Sequence, residues 1–262
     1  MEKIKYFVTS DLKANNREFK KPNEDYILYD VENGIYILLD GITRVHSEYI
    51  DGTSAAFEVD KIFADTVYEY LLKRVKNVDK NEIESVLRSA VVEGNSAVAK
   101  YRLKKTLEEW CYYPATLGIV ALIYDRTLYY VCAGDSLGAI LRGSSKLYFG
   151  EQQSVKAIDI NKFSKDIRYS TYCNHPDNEL SYAVFNGDEA LADAIEQSFI
   201  DLHPGDIVIL ASDGMERYIK FEKVETLRTI SPEKMTELSV VYDKPPYAKY
   251  SDDKAIIKIV CS

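Results

Sequence analysis

Short apolar runs in this chain repeatedly meet an acid. Ile37-Leu38-Leu39 runs into Asp40-Gly41, Tyr129 to Ala133 into Gly134-Asp135-Ser136, and Ile207 to Ala211 into Ser212-Asp213-Gly214. Asp252-Asp253 opens a last apolar run from Ala255 to Val260, and Glu24-Asp25 opens an early one. Runs of this length, rich in Ile, Val, Leu and Tyr and bounded by Gly, Asp, Asn or Pro, predict β-strands. An Asp-Gly pair after one strand is a common turn, because glycine supplies the backbone freedom. A recurrence at five strand ends asks for more, since asparagine or serine would serve a turn equally well. If those ends converge, several carboxylates share a small volume, and their repulsion would oppose folding unless a cation sat among them.

The remaining patterns set the architecture. Further strand-like runs occur at 3–9, 116–124, 137–141, 181–186 and 197–202, and Asn33-Gly34 predicts a two-residue type I′ hairpin between the runs 25–31 and 34–39. Two segments have helical periodicity. Ala55, Ala56, Val59, Ile62, Phe63, Val67, Tyr70 and Leu71 recur at steps of three or four. A second helix starts near Asp79, a suitable N-cap with Glu82 three residues on, and buries Ile83, Val86, Leu87, Ala90, Val91 and Val98. A shorter helix is expected over 231–242, beginning at Ser231-Pro232. Strands, two long helices, many strands, a short helix and a final strand exclude regular βαβ alternation and predict an α+β fold with mostly antiparallel sheets. The stretch from about 150 to 180 lacks sustained periodicity and reads as a flap leaving the core. No repeat or linker divides the chain, so 1–262 is expected to be one domain.

Composition narrows the chemistry. The 33 basic and 42 acidic residues leave a net charge of −9, which argues against nucleic acid as a partner because phosphate backbones require a basic patch. The four cysteines are scattered without a CxxC pair, and Cys132 and Cys261 fall in apolar runs, so they read as core residues. The N-terminus carries no apolar stretch suited to a signal peptide, and no run approaches the length of a membrane span, so a cytoplasmic protein without a membrane partner is expected. With three histidines and no HExxH, zinc is disfavoured; an all-oxygen donor set suits Mg²⁺ or Mn²⁺.

Asn23-Glu24-Asp25, Leu39-Asp40-Gly41, Ala115-Thr116-Leu117, Gly134-Asp135-Ser136, Pro204-Gly205-Asp206 and Ala211-Ser212-Asp213-Gly214 occur in the order and rough spacing of the PPM (PP2C-type) protein phosphatases. Asp252-Asp253-Lys254-Ala255 resembles that family's closing motif, and the resemblance spans about 5 to 260. It implies a PP2C-like β-sandwich of two antiparallel sheets flanked by helix pairs, in α-β-β-α layers. It also implies hydrolysis of phosphoserine and phosphothreonine on protein substrates by a water between two Mg²⁺ or Mn²⁺ ions, without a covalent enzyme intermediate. By the same resemblance Asp40 bridges both ions, the Gly41 carbonyl binds one, and Asp213 and Asp252 hold the other. Asp253 is the rival of Asp252; Glu24 and Asp25 stand beside the pair, and Asp135 matches a ligand of an accessory third site.

The chain departs from the family's pattern in three places. Lys20 stands where an arginine often grips phosphate, and a solvated loop lysine is the competing reading. Ile42-Thr43-Arg44-Val45-His46 replaces a glycine-rich or histidine-containing stretch, which leaves the general acid unassigned with His46 as the nearby candidate. Arg217 replaces an acid four residues after Asp213, which argues against a third ion. These departures keep open a catalytically weak member that serves as a binding or regulatory module, and an enzyme acting on small phosphoesters.

Overall fold

The structure, a computed structural model, describes residues 5–13, 23–42, 54–104, 114–150, 162–164, 167–168, 171–243 and 252–262. Two five-stranded antiparallel sheets lie face to face. The first has the order β1 (Tyr6–Lys13), β10 (Lys254–Cys261), β9 (Ile207–Ala211), β6 (Leu137–Arg142), β7 (Ser145–Phe149). The second has the order β2 (Tyr26–Asp30), β3 (Ile35–Ile42), β4 (Ala115–Tyr124), β5 (Thr127–Ala133), β8 (Glu196–Asp201). This is the α+β sandwich expected from the element order.

Alternation within the strands builds three apolar layers. Tyr36, Leu38, Ile119, Ala121 and Tyr130 of one sheet meet Ile140, Val208, Leu210, Ile257 and Ile259 of the other between the sheets. The opposite side chains of β3, β4 and β5 pack under α1 (Ala55–Arg74) and α2 (Ile83–Lys104), with Phe63 stacked on Phe185 at 4.2 Å between centroids. The outer face of the first sheet packs under α3 (Asp213–Phe221), α4 (Val224–Thr229) and α5 (Pro232–Ser239). Because both faces of each sheet are covered, the central strands read as nearly continuous apolar runs.

Three buried or half-buried lysines fasten that last helical layer. Lys146 Nζ donates to the carbonyls of Ile219 (2.8 Å), Lys220 (3.1 Å) and Glu222 at the end of α3, and Lys258 Nζ to those of Arg228 and Ile230 (both 2.8 Å) at the end of α4. Cations there satisfy terminal carbonyls and suit the negative end of the helix dipole. Burial pushes both ammonium pKa values down. The third lysine, Lys254, is fully buried beside the first turn of α3.

Several local expectations are corrected. Asn33-Gly34 is not a two-residue type I′ turn: β2 and β3 are joined by the four residues 31–34, only Gly34 has positive φ (+68°), and Asp30 accepts from the Asn33 backbone at 3.1 Å. The side chain of Asp30 closes the loop in place of the tight turn. The two-residue hairpin is instead Asp125-Arg126, both at positive φ (45° and 66°), between Tyr124 and Thr127. Residues 181–186 form isolated bridges, Tyr182 with Cys173 and Phe185 with Thr116, and no strand. β7, α3 and α4 have no counterpart among the sequence expectations, α3 because Ser212-Asp213-Gly214 reads as a turn when it is a helix start. Asp79 does cap a first turn, accepting from Asn81 N at 2.9 Å, as a 3₁₀ segment that leads into α2. Cys132 and Cys261 are buried and free, and burial pushes the Cys261 thiol up to about 12, so they are inert core residues as expected. Of the flap expected near 150–180, residues 151–161 lie outside the described residues; Tyr172, Cys173 and Leu180 pack with Tyr182, Val184 and Ala115 beside β4.

Candidate metal centre

Strand register gathers the acids at one end of the sandwich. In the first sheet Ala211, at the end of β9, pairs with Ile256 near the start of β10 and with Leu137 at the start of β6. The residues just beyond those three ends are Asp213, Asp252-Asp253 and Asp135. In the second sheet Leu39 pairs with Tyr26 at the start of β2, and Gly118 pairs with Ala133 at the end of β5. This end therefore holds Asp40, Asp25 and again Asp135. Gly134, at φ +78°, turns the chain from β5 toward β6 in the other sheet, with its α-carbon against Leu117, where a Cβ would sit 2.5 Å from that side chain.

Asp40, Asp135 and Asp213 meet there, each offering a carboxylate oxygen within 4.8 Å of the others. Asp40 is not in a turn, because β3 continues through it to pair Gly41 with Thr116 and Ile42 with Ala115. Asp213 is the first residue of α3, where the positive end of the helix dipole suits an anion. Burial, then the carboxylates of Asp213, Asp25, Asp135 and Asp252, hold the Asp40 carboxyl well above the usual carboxylate range. Asp213 is raised in the same way, by burial and then by Asp252, Asp135 and Asp25. Asp135 is pushed up to about 6 by burial, Glu216 and Asp252, against which Arg168 acts. Oδ1 of Asp135 is buried without a hydrogen-bond partner among the described residues.

The neighbouring acids divide by their partners. Asp25 Oδ2 accepts from Ser212 Oγ at 2.7 Å, and Ser212 Oγ in turn accepts from Ala255 N at 2.9 Å. Asp253 is buried, and its Oδ2 accepts from Glu24 N at 3.0 Å; Asp252 keeps a partly exposed edge and its Oδ1 accepts from Asp253 N at 2.9 Å. Glu24 is buried beside them. Arg217 is exposed, and the α3 residue whose charge acts on Asp135 is Glu216. An acid thus does face Asp135, one position earlier than the family's spacing. Lys20 and His46 lie outside the described residues.

Sequence reasoning missed Asp60. It lies in α1, fully buried, with neither carboxylate oxygen hydrogen-bonded among the described residues. Its Oδ2 would be 3.0 Å from a Cβ placed on Gly41. Burial, with Asp25 and Glu24 adding to it, raises its pKa well above the ordinary value, and the nearby Thr116 hydroxyl opposes the rise. The signal was available: Ala56, Asp60, Phe63 and Val67 fall on one helical stripe, so an acid interrupts the apolar face.

Crowded carboxylates that raise one another's pKa, an unsatisfied buried oxygen on Asp135 and an all-oxygen donor set together fit a hard divalent cation. Solved structures carry the comparison further. PppA, described as a key regulatory component of T6SS in Pseudomonas aeruginosa, superposes with a TM-score of 0.67 at 16% identity over 98% of each chain. The Mycobacterium tuberculosis serine/threonine phosphatase PstP/Ppp gives 0.64 at 20% identity, again over 98% of each chain. A PstP catalytic domain in complex with 2 manganese ions gives 0.61 at 17% identity, over 98% of this chain and 99% of that one. The chain has the PPM phosphatase fold. No family model and no curated protein sequence matches it. The shared sandwich is therefore a likeness of fold at 16–20% identity. Among the described residues no helix is long and apolar enough to cross a membrane.

Proposed function

We propose that this chain is an Mg²⁺- or Mn²⁺-dependent phosphatase acting on phosphoserine and phosphothreonine in proteins, as a single cytoplasmic domain spanning 1–262. The observation that carries this reading is the meeting of Asp40, Asp135 and Asp213 at one end of a PPM-type sandwich. Such a group repels itself in the absence of cations, so its presence is more readily explained by ion binding than by structure. In this reading Asp40, Asp213, Asp252 and the Gly41 carbonyl hold two ions, with Asp135 facing the same space and Glu24 and Asp25 beside it. The charge of Asp252 acts on the carboxyls of Asp40, Asp135 and Asp213, which favours it over Asp253 as the ligand.

When bound, the ions would supply Lewis-acid stabilisation of phosphoryl charge and lower the pKa of coordinated water. The chain's own contribution is positional. Ser212 joins Asp25 to the start of β10, while β3 holds Asp40 rigidly between β2 and β4. This reading calls on no nucleophilic Ser or Cys, and the cysteines among the described residues, Cys132, Cys173 and Cys261, are all buried. A phosphoprotein substrate is supported by the phosphatases that share the fold.

A second reading, a catalytically weak module with a binding or regulatory role, is favoured by Lys20 in place of a phosphate-gripping arginine. Turnover of p-nitrophenyl phosphate and of a phosphothreonine peptide, measured with Mn²⁺, with chelator and in Asp213→Asn, separates the readings. Metal-dependent turnover should fall by orders of magnitude in Asp213→Asn. Wild-type turnover no higher than that variant's would defeat the enzyme reading, and hydrolysis of the small ester alone would remove the protein substrate.

A further inference from the structure

Lys254 is a buried cation that the metal reading leaves unused. It directly follows Asp252-Asp253, and its side chain is fully buried at 0% exposure. Its Nζ donates to the Gly214 carbonyl at 2.8 Å and to Asp243 Oδ1 at 2.8 Å, and the Asp243 side chain is only 10% exposed. A buried ammonium is costly unless it is paired and hydrogen-bonded, so both contacts are under strong pressure to persist. The Gly214 carbonyl belongs to the residue after Asp213, in the first turn of α3. Lys254 therefore reaches from the segment that carries Asp252 to the turn that carries Asp213.

Two other contacts join the same pieces. Ser212 N donates to the Ala255 carbonyl at 3.0 Å, while Ala255 N donates to Ser212 Oγ at 2.9 Å. Gly214 also lies so close to Asp253 that a Cβ on it would be 2.0 Å from the Asp253 carbonyl oxygen. Ser212 fixes the chain on one side of Asp213 and Lys254 fixes it on the other. We propose that Lys254 is a positioning residue of the metal centre: it clamps the Asp213 turn to the Asp252 segment, so that the spacing of these carboxylates is set before an ion arrives.

This rests on the metal-centre reading. Partners that orient ligands from outside typically change metal affinity 10–100-fold when removed. The alternative is that Lys254 only completes the core, and a paired replacement distinguishes the two. Exchanging both members of a buried ion pair for apolar side chains is often neutral for stability, whereas removing one is not. Lys254→Met alone should lower the metal-free melting temperature, and Lys254→Met/Asp243→Leu should recover it. Neither variant can hold the Gly214 carbonyl, so calorimetric titration with Mn²⁺ should give a dissociation constant about 10–100-fold above wild type in both. Asp243→Asn, which retains an acceptor and the Gly214 contact, should stay within about threefold of wild type by the same reasoning.

A double variant that melts like wild type in chelator and binds Mn²⁺ with wild-type affinity would overturn the clamp. Should the Lys254→Met variants not fold, Lys254→Gln/Asp243→Asn replaces the ion pair with a neutral amide pair whose donor is one bond too short for the Gly214 carbonyl; a loss of Mn²⁺ affinity of about tenfold or more there would support the clamp, and wild-type affinity would overturn it. If the wild-type protein takes up no Mn²⁺, the metal-centre reading itself fails, an outcome seen before any variant is compared.

Discussion

Gly214→Ala tests the architecture of the centre because local and tertiary reasoning give opposite signs. Residue 214 lies in the first turn of α3, where alanine exceeds glycine in helix propensity by up to about 1 kcal/mol. Its backbone needs no left-handed conformation, since its φ lies outside the positive region. By local reasoning the substitution stabilises the protein. In the folded chain, however, the new Cβ would stand 2.0 Å from the Asp253 carbonyl oxygen and 3.2 Å from its carbon. Backbone cannot swing aside as a side chain does, so α3 and the Asp252-Asp253 segment must separate by about 1 Å, and overpacking of this kind costs about 1–3 kcal/mol. The displacement falls between Asp213 and Asp252, where a shift of about 1 Å is worth about 100-fold in activity. Urea unfolding should show a net loss of up to about 2 kcal/mol, with Mn²⁺ affinity by calorimetry and turnover of p-nitrophenyl phosphate both falling. A higher urea midpoint with unchanged Mn²⁺ affinity would refute the claim that this close approach sets the ligand spacing.

Ser212→Ala removes a charge-assisted hydrogen bond to Asp25 and the acceptor of Ala255 N–H; a loss of about 3 kcal/mol in urea unfolding is expected, and less than about 1 kcal/mol would refute the assigned network. In chelator, the melting temperature should fall as pH rises from about 5 to 7. The carboxyls of Asp40, Asp135 and Asp213 are raised in the folded state, so the native protein binds more protons than the unfolded chain and stability declines as pH climbs toward the folded pKa. Asp135 alone, at about 6 against 3.8, accounts for about 1 kcal/mol of the fall between pH 5 and 7, the rest of its effect lying below pH 5. Saturating Mn²⁺ should reverse the slope, because ions require deprotonated ligands, and a metal-free melting temperature that rises over this range would contradict the crowding. Asp60→Asn should raise the urea midpoint of the metal-free protein at pH 7.5 and have little effect at pH 4.5, since burial favours the neutral form. A lowered midpoint at both pH values would show that Asp60 is held as an anion by a partner.

Much of the fold was legible because it rests on local periodicity. The apolar stripes of α1 and α2, and the strand runs ending at Ala133 and Ala211, carry their element type in the spacing of their side chains. Errors arose where two local patterns compete for the same residues. Ser-Asp-Gly after Ala211 is equally suited to a turn and to the start of α3, and packing against the first sheet selects the helix. Asn33-Gly34 lost to a wider loop because Asp30 supplies its own hydrogen bonds to Asn33. Asp125-Arg126 carried no glycine to reveal its positive φ, which the β4–β5 pairing imposes.

The sequence by itself determined the inventory of the site: acids at strand ends, with oxygen donors and few histidines, which restricts the chemistry to hard cations. The tertiary structure decided which of them meet. Asp40, Asp135 and Asp213 come from separate parts of the chain, and their approach depends on the register of ten strands and the crossing from β5 to β6. It also decided that Glu216, and not Arg217, acts on Asp135, because one residue along a helix turns a side chain by about 100°. Asp60 and Lys254 owe their places to the same cause, since burial and partners belong to the packed chain and are properties of no single segment.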